Sequence, residues 1–195
     1  MKRNRRHPHM RKLIKENSFL GYKVLEVGTW SGDSALLWAE ELGNKGIVYC
    51  IDNWEEYPSQ PEAIKNTREE AWNQFLGRIK GKNVVFFKGN SNDILPLLKE
   101  GSFDFVYIDG DHAYSQFKKD FKNCLSLVKP GGILCGDDYE VHISKVNRAI
   151  TEQKKEEDYI RDSNGTWYHP GITLAMSERE IPNLTVEEGF WYFKV

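Results

Sequence analysis

The stretch KVLEVGTWSGDSALLWAEEL, residues 23–42, decides the fold. KVLEVG reads as a buried strand, and DSALLWAEEL carries its apolar residues at helical spacing, with Ser31 or Asp33 available as the helix N-cap. A strand, a loop with glycines at 28 and 32, and a helix make one βα unit.

The pattern repeats outward along the chain. GIVYCID (46–52) is a second strand ending on Asp52, NVVFFKG (83–89) a third, FDFVYID (103–109) a fourth, and GGILCGDD (131–138) a fifth after a Pro130-Gly131 turn. Helical runs are expected over 63–79, 93–100, 113–128 and 144–156, with the polar insert NWEEYPSQPE (53–62) as a loop. The tail holds two further strand-like runs, TWYHPGITLAM (166–176) and GFWYFKV (189–195), the second placed to close the sheet antiparallel. Successive βα units imply a parallel sheet with helices on both faces. The expected fold is α/β: a Rossmann-like, doubly wound, mostly parallel seven-stranded sheet with an antiparallel C-terminal strand. At 195 residues the chain fits a single domain, read as residues 21–195 behind a basic arm of residues 1–20.

Composition narrows the class. Hydrophobic residues make up 39%, mean hydropathy is -0.61, and no apolar run approaches the roughly 20 residues of a membrane span. No membrane partner is expected. The basic start lacks the apolar stretch and cleavage site of a secretory signal, so the reading is cytoplasmic. Cys50, Cys124 and Cys135 are odd in number and far apart, which suits free buried thiols rather than disulfides or zinc. Seven of the 27 Lys and Arg fall in residues 1–15, leaving 20 against 29 acids in the remainder. Such an arm either binds a polyanion or is a solvated, frayed terminus, the second being the favoured reading.

In open α/β sheets ligands bind beyond the carboxyl ends of the strands, and every motif-bearing loop here falls at such an end. Gly28 permits close backbone approach and Gly32 lets the chain turn into a helix whose free N–H groups face an anion. Asp52 follows Gly28 by 24 residues, placed to grip ribose hydroxyls. A dinucleotide loop would carry G-x-G-x-x-G, but the second and third positions are Trp30 and Asp33, and Asp33 would repel a pyrophosphate.

Glu26, Gly28, Trp30, Gly32 and Ser34, then Asp52, GNSNDILP, YIDGDH and GDD, together resemble class I S-adenosylmethionine-dependent methyltransferases. Within that class the chain is similar to the metal-dependent O-methyltransferases, such as catechol O-methyltransferase and the macrocin-type sugar O-methyltransferases, over about residues 21–139. The resemblance implies S-adenosyl-L-methionine as cofactor, with Glu26 and Asp109 among its binding residues. Gly28, Thr29 and Trp30 would line its methionine part and Ser34 would reach its carboxylate. Asp52 would hold the ribose and Asn53 flank the adenine. Gly89 would let the backbone close on the adenine, and Ser91 and Asn92 would bond its edge.

Asp109 ends strand four, and Asp137 and Asp138 end strand five, so three carboxylates converge on one crevice and need a counter-ion. Mg2+, which takes oxygen ligands in an octahedron, answers that need, and the 28-residue gap from Asp109 to Asp137 matches the metal-site spacing of the resembled family. His112 stands at the family's base position with Asp111 as its rival, and an imidazole suits proton acceptance near neutrality. Each also reads as a helix-start residue. His142 and His169 are lone histidines read as structural, although Tyr168–Gly171 is placed to border a substrate pocket. Trp54 and Tyr57 are read as stacking on adenine or forming a lid, and Trp167 and Trp191 as core or edge packing.

The expected activity is Mg-dependent O-methylation of a small hydroxylated substrate, a sugar, natural product or catechol. The alternatives are an RNA ribose methyltransferase using the basic arm and a non-catalytic adenosine-ligand-binding module. Nucleic acid is the less favoured partner, and a homo-oligomer is compatible with either. Acceptor specificity is assigned to the arm, to residues 55–62 and to residues 139–145.

Overall fold

The computed structural model describes residues 5–17, 22–55 and 67–195. The insert around Tyr57, Pro58 and Pro61, and the start of the helix expected from residue 63, lie outside the described residues.

Strands β1 (Tyr22–Val27), β2 (Gly46–Asp52), β3 (Val84–Lys88), β4 (Phe103–Ile108) and β5 (Val128–Gly136) pair in parallel. β9 (Phe190–Lys194) runs antiparallel to β5, and β8 (Thr185–Glu187) pairs antiparallel with β9. The sheet order is β3-β2-β1-β4-β5-β9-β8, so the expected seven strands with one antiparallel closing strand are present. The order reverses between β1 and β4, and there the loops diverge to leave a crevice.

The central strands β1 and β4 are buried on both faces apart from Lys23, which is why they read as continuous apolar runs rather than alternating ones, whereas the edge strand β3 is partly exposed. Phe105 and Tyr107 of β4 enter one core with Trp38 and Phe75, whereas Val106 and Ile108 enter the other with Phe117, Phe121 and Trp191. Helices α2 (Asp33–Leu42) and α3 (Arg68–Ile79) cover the first face. Helix α5 (Tyr114–Leu127) covers the second, while α4 (Ser91–Ile94) and α6 (Arg148–Gln153) are short connectors. All three cysteines are free and buried.

Four readings need correction. Residues 6–16 are not a frayed terminus: they form α1 (Arg6–Glu16), whose Met10, Leu13 and Ile14 sit in the core beside α2. The spacing of those three residues, hidden by the density of basic side chains, is the helical stripe. The run TWYHPGITLAM is not one strand. Trp167–Tyr168 forms β7, paired with β6 (Ile160–Arg161), and α7 (Pro170–Ser177) starts at Pro170, whose fixed φ suits a first helical turn. Residues 170–176 are all buried, so their apolar run had no period to distinguish helix from strand. α2 is capped by Gly32, at φ 81, with no side-chain cap from Ser31 or Asp33. Trp167 is 49% exposed and stacks on Tyr159, while Trp191 is fully buried as expected.

Candidate active site

A cavity of about 550 Å³ opens at the carboxyl ends of β1, β2 and β4. At its first end the wall is mostly backbone. Gly28 has φ 87, and a Cβ placed on it would lie 2.1 Å from the carbonyl oxygen of Asp109, so only glycine lets the loops after β1 and β4 touch. The Gly28 N–H donates to Ile51 O at 2.9 Å and the Asp109 N–H to Val27 O at 2.8 Å, which ties three strand ends together.

Asp52 organises the adjoining loops. Its Oδ2 accepts from the Trp30 N–H and its Oδ1 from the Trp54 N–H, both at 2.8 Å. Burial pushes its carboxyl upward in pKa against those bonds. Trp30 and Trp54 hold φ of 49 and 50, strained values for bulky residues that cluster at this loop pair. Trp54 is buried against Trp72 and Phe75 with its Nε1 donating to Trp30 O at 2.8 Å, so it is a pillar under the loop and neither a lid nor an exposed stacking ring. Asp33 pairs with Arg78 at 2.9 Å, which neutralises the charge expected to repel anions.

Of the residues expected around a cofactor, Gly28, Trp30, Asp52, Asn53, Gly89, Ser91 and Asp109 line the cavity. Glu26, Thr29 and Ser34 are instead buried beneath the loop, where Ser34 Oγ donates to Glu26 Oε1 at 3.0 Å. Burial, helped by the charge of Asp109, pushes Glu26 up to about 8. Asn92 faces α5, donating to Gln116 Oε1 at 2.9 Å, while Gln116 Nε2 donates to Ser91 Oγ at 3.1 Å. Gln116 and Asp120 join the lining without having been singled out in the sequence. The available signal was an acid on the buried stripe Phe117, Asp120, Phe121, Cys124 of α5. Burial pushes Asp120 up to about 6.

The other end of the cavity is built from charged side chains. Arg6, at the start of α1, places Nη1 2.6 Å from Asp109 Oδ2 and 3.3 Å from Asp137 Oδ2. Burial pushes Asp109 up to about 7 although Arg6 pulls it down. His112 lies between two carboxylates, with Nδ1 2.6 Å from Asp158 Oδ1 and Nε2 3.1 Å from Asp138 Oδ2. Burial favours its neutral form, but Asp138 and Asp158 prevail and raise it well above an ordinary histidine. Burial alone would raise Asp138; the charges of His112 and His169 reverse that and hold it well below the usual carboxylate range.

His169 is the neighbour that its isolation in sequence concealed. Its ring meets His112 edge-on at 4.4 Å, and its Nδ1 lies 2.9 Å from Glu140 Oε1. His142 stays structural, its Nδ1 accepting from the Ser144 N–H at 3.2 Å. Asp111 Oδ1 accepts from the Ala113 N–H at 3.0 Å, the expected turn at the start of α5, and Asp111 also lines the cavity.

Residues 25–139, from β1 to just past the paired aspartates, match a family described as a methyltransferase domain. The chain belongs to the methyltransferase-domain family. Its fold is that of the class I S-adenosylmethionine-dependent methyltransferases. An uncharacterised protein R132 of Acanthamoeba polyphaga mimivirus is 32% identical over 124 residues, covering 60% of this chain and 51% of that protein. The chain thus spans about half the length of this curated relative. An O-methyltransferase from Bacillus cereus in complex with SAH superposes with a TM-score of 0.59 at 19% identity, covering 97% of this chain and 79% of the other. The methyltransferase MycE in complex with Mg, SAH and mycinamycin VI gives 0.55 at 18%, covering 95% and 48%.

Within this methyltransferase domain the donor chemistry of Asp109, Asp137 and Asp138 fits a hard divalent cation. Arg6 is the stand-in: the carboxylates of Asp109 and Asp137 share its Nη1 as their positive charge. An oxygen of Asp109, one of Asp138 and a ring nitrogen of His112 also lie within 4.8 Å of one another. Among the described residues, no helix is long and apolar enough to cross a membrane.

Proposed function

We propose that this protein is an S-adenosylmethionine-dependent O-methyltransferase acting on a hydroxyl of a small molecule. The observation that carries the reading is that one cavity joins Gly28 and Asp52 at one end to Asp109 and His112 at the other. A methyl donor held at the first end brings its reactive group toward the second. The O-methyltransferase nature of the Bacillus cereus neighbour, bound to SAH, supports the same assignment.

S-adenosylmethionine supplies an electrophilic methyl when bound. Asp52, its carboxylate pinned by two backbone N–H groups, would hold the ribose hydroxyls. Gly28 lets the donor approach the backbone, and Ser91, Gln116 and Asp120 present polar atoms to the adenine edge. The order already present in these loops lowers the entropic cost of aligning the reactants.

His112 is the proton acceptor at Nε2, with Asp158 on Nδ1 fixing the ring's orientation. Only the neutral imidazole takes up a proton, so engagement of Asp138 by another positive group sets whether His112 acts as a base. Asp109, Asp137 and Asp138 would hold a divalent cation, as Mg accompanies MycE, and such an ion supplies charge that lowers the pKa of a bound hydroxyl. The RNA reading is weakened by α1, since Arg6, Arg11 and Lys12 already pair with acids of the domain.

Calorimetric titration with S-adenosylhomocysteine, with NAD as control, tests the donor. Binding of the homocysteine derivative alone is expected, followed by methylation of a hydroxylated acceptor in a substrate screen. Binding of neither ligand would refute the proposal.

A further inference from the structure

Arg6 is a surface-type residue in an interior place. Its side chain is 16% exposed, its guanidinium carbon lies 5.8 Å over the Tyr107 ring, and its Nε is buried with no hydrogen-bond partner among the described residues. Nη1 alone serves both Asp109 and Asp137, carboxylates from the ends of two different strands. Two such carboxylates repel unless a cation lies between them, and one guanidinium supplies one positive charge.

The side chain also forms part of the cavity wall. Arg6 lines the cavity, as does Asp109, whereas Asp137 and Asp138 do not. Arg6 and a divalent ion cannot both lie between Asp109 and Asp137.

The helix behind Arg6 is anchored independently of it. Met10, Leu13 and Ile14 are buried, Arg11 pairs with Glu41 at 2.8 Å, and His9 stacks on Phe190 at 5.7 Å and contacts Glu187 at 2.7 Å. Withdrawal of Arg6 therefore requires movement of a flexible side chain in the first turn, not loss of the helix.

We propose that Arg6 is a built-in cation competing with a hard divalent metal ion for Asp109 and Asp137, so that metal binding and withdrawal of Arg6 are one coupled event. The proposal rests on the reading that these aspartates hold a divalent ion; it does not depend on the identity of the methyl acceptor. It assigns to the N-terminal helix the setting of metal affinity. Reciprocity follows: whatever stabilises Arg6 in the site weakens the metal, and the metal exposes Arg6 by the same factor.

The test is Mn2+ titration without methyl donor, free ion being read by electron paramagnetic resonance, on the wild type, Arg6→Met and Arg6→Lys. Arg6→Met, which keeps the length and removes the charge, is expected to bind Mn2+ at least about ten-fold more tightly than wild type. Arg6→Lys is expected to stay within about three-fold of wild type, and adding Asp109→Asn to Arg6→Met is expected to abolish the gain. Equal affinity in wild type and Arg6→Met, or no binding by either, overturns the competition. A measurement on the wild type alone covers misfolding of the variant: phenylglyoxal modification at Arg6, read by peptide mass spectrometry, is expected to rise on adding Mn2+, and an unchanged rate overturns the coupling. S-adenosylhomocysteine affinity in the same preparations reports separately on the methyl-donor reading. Tight homocysteine-derivative binding without a Mn2+ gain refutes only the competition, and the reverse pattern refutes only the donor.

Discussion

The two ends of the cavity are built by opposite means. Around Gly28 and Asp52 the wall is backbone and short-range bonding: a glycine that admits no Cβ, and a carboxylate fastened to the N–H groups of Trp30 and Trp54. Around His112 it is a balance of charge, with Asp138 and Asp158 on one ring, His169 against it, and Arg6 brought from the other end of the chain. The first arrangement is fixed by backbone geometry. The second changes with every proton or ion that enters, which suits the first to holding a constant cofactor and the second to chemistry.

The sharpest way to break this contrast is Gly28→Ala. Its Cβ would overlap the Asp109 carbonyl at 2.1 Å and hold an unfavourable positive φ, so the two loops must part. Loss of S-adenosylhomocysteine affinity by more than about 100-fold is expected by calorimetry, with a fall in stability of about 2–4 kcal/mol in denaturant titration. Next comes His112→Ala, which should lower the methyl-transfer rate by about 10²–10⁴-fold while leaving that affinity nearly intact. A parallel loss of both would show the two ends to be one unit.

Asp158→Asn sharpens the charged half more gently. Burial lowers the His112 pKa, and Asp138 and Asp158 raise it further than burial lowers it. Activity that needs the neutral ring rises with pH through that pKa, so removing one carboxylate should shift the acid limb of the pH–rate profile to lower pH. A shift to higher pH would contradict the assignment of His112 as base.

The smallest effect is on stability. Burial raises the Asp120 carboxyl from 3.8 to about 6, so the folded chain holds that proton more tightly than the unfolded chain does. Stability is then greatest below about pH 4 for this group and falls as pH rises through about 6. Asp120→Asn should stabilise the protein by about 1–3 kcal/mol at pH 7.5 and by little at pH 4, as thermal melts at the two pH values would report.

The same contrast explains what could be read from sequence. The residues Gly28, Asp52, Asp109, Asp137 and Asp138 could be placed at strand ends because a βα repeat fixes where each strand stops, whereas His112 was singled out by the family resemblance. Arg6, Glu140 and Asp158 were not, since nothing local distinguishes them from other charged residues of solvated segments. His169 was read as a lone structural histidine in a segment placed to border a pocket, and its contact with His112 was hidden because that residue lies 57 positions earlier. The burial of Ser34 against Glu26 shows the complementary limit: position in a motif locates a residue near a site without saying which way its side chain turns. α7 escaped for a simpler reason, as a wholly buried helix carries no amphipathic period.

The separation of Arg6 from its partners has a bearing on how the molecule is made. Asp109 and Asp137 lie 103 and 131 residues further along the chain, so a ribosome delivers α1 long before anything exists for its arginine to meet. The apolar stripe of the helix can meet α2 early, but Arg6 must wait until β4 and β5 have emerged, and contacts of such long range are slow to form. Completion of the charged half of the cavity is therefore among the last events in the birth of the protein, and an incomplete chain carries no finished site.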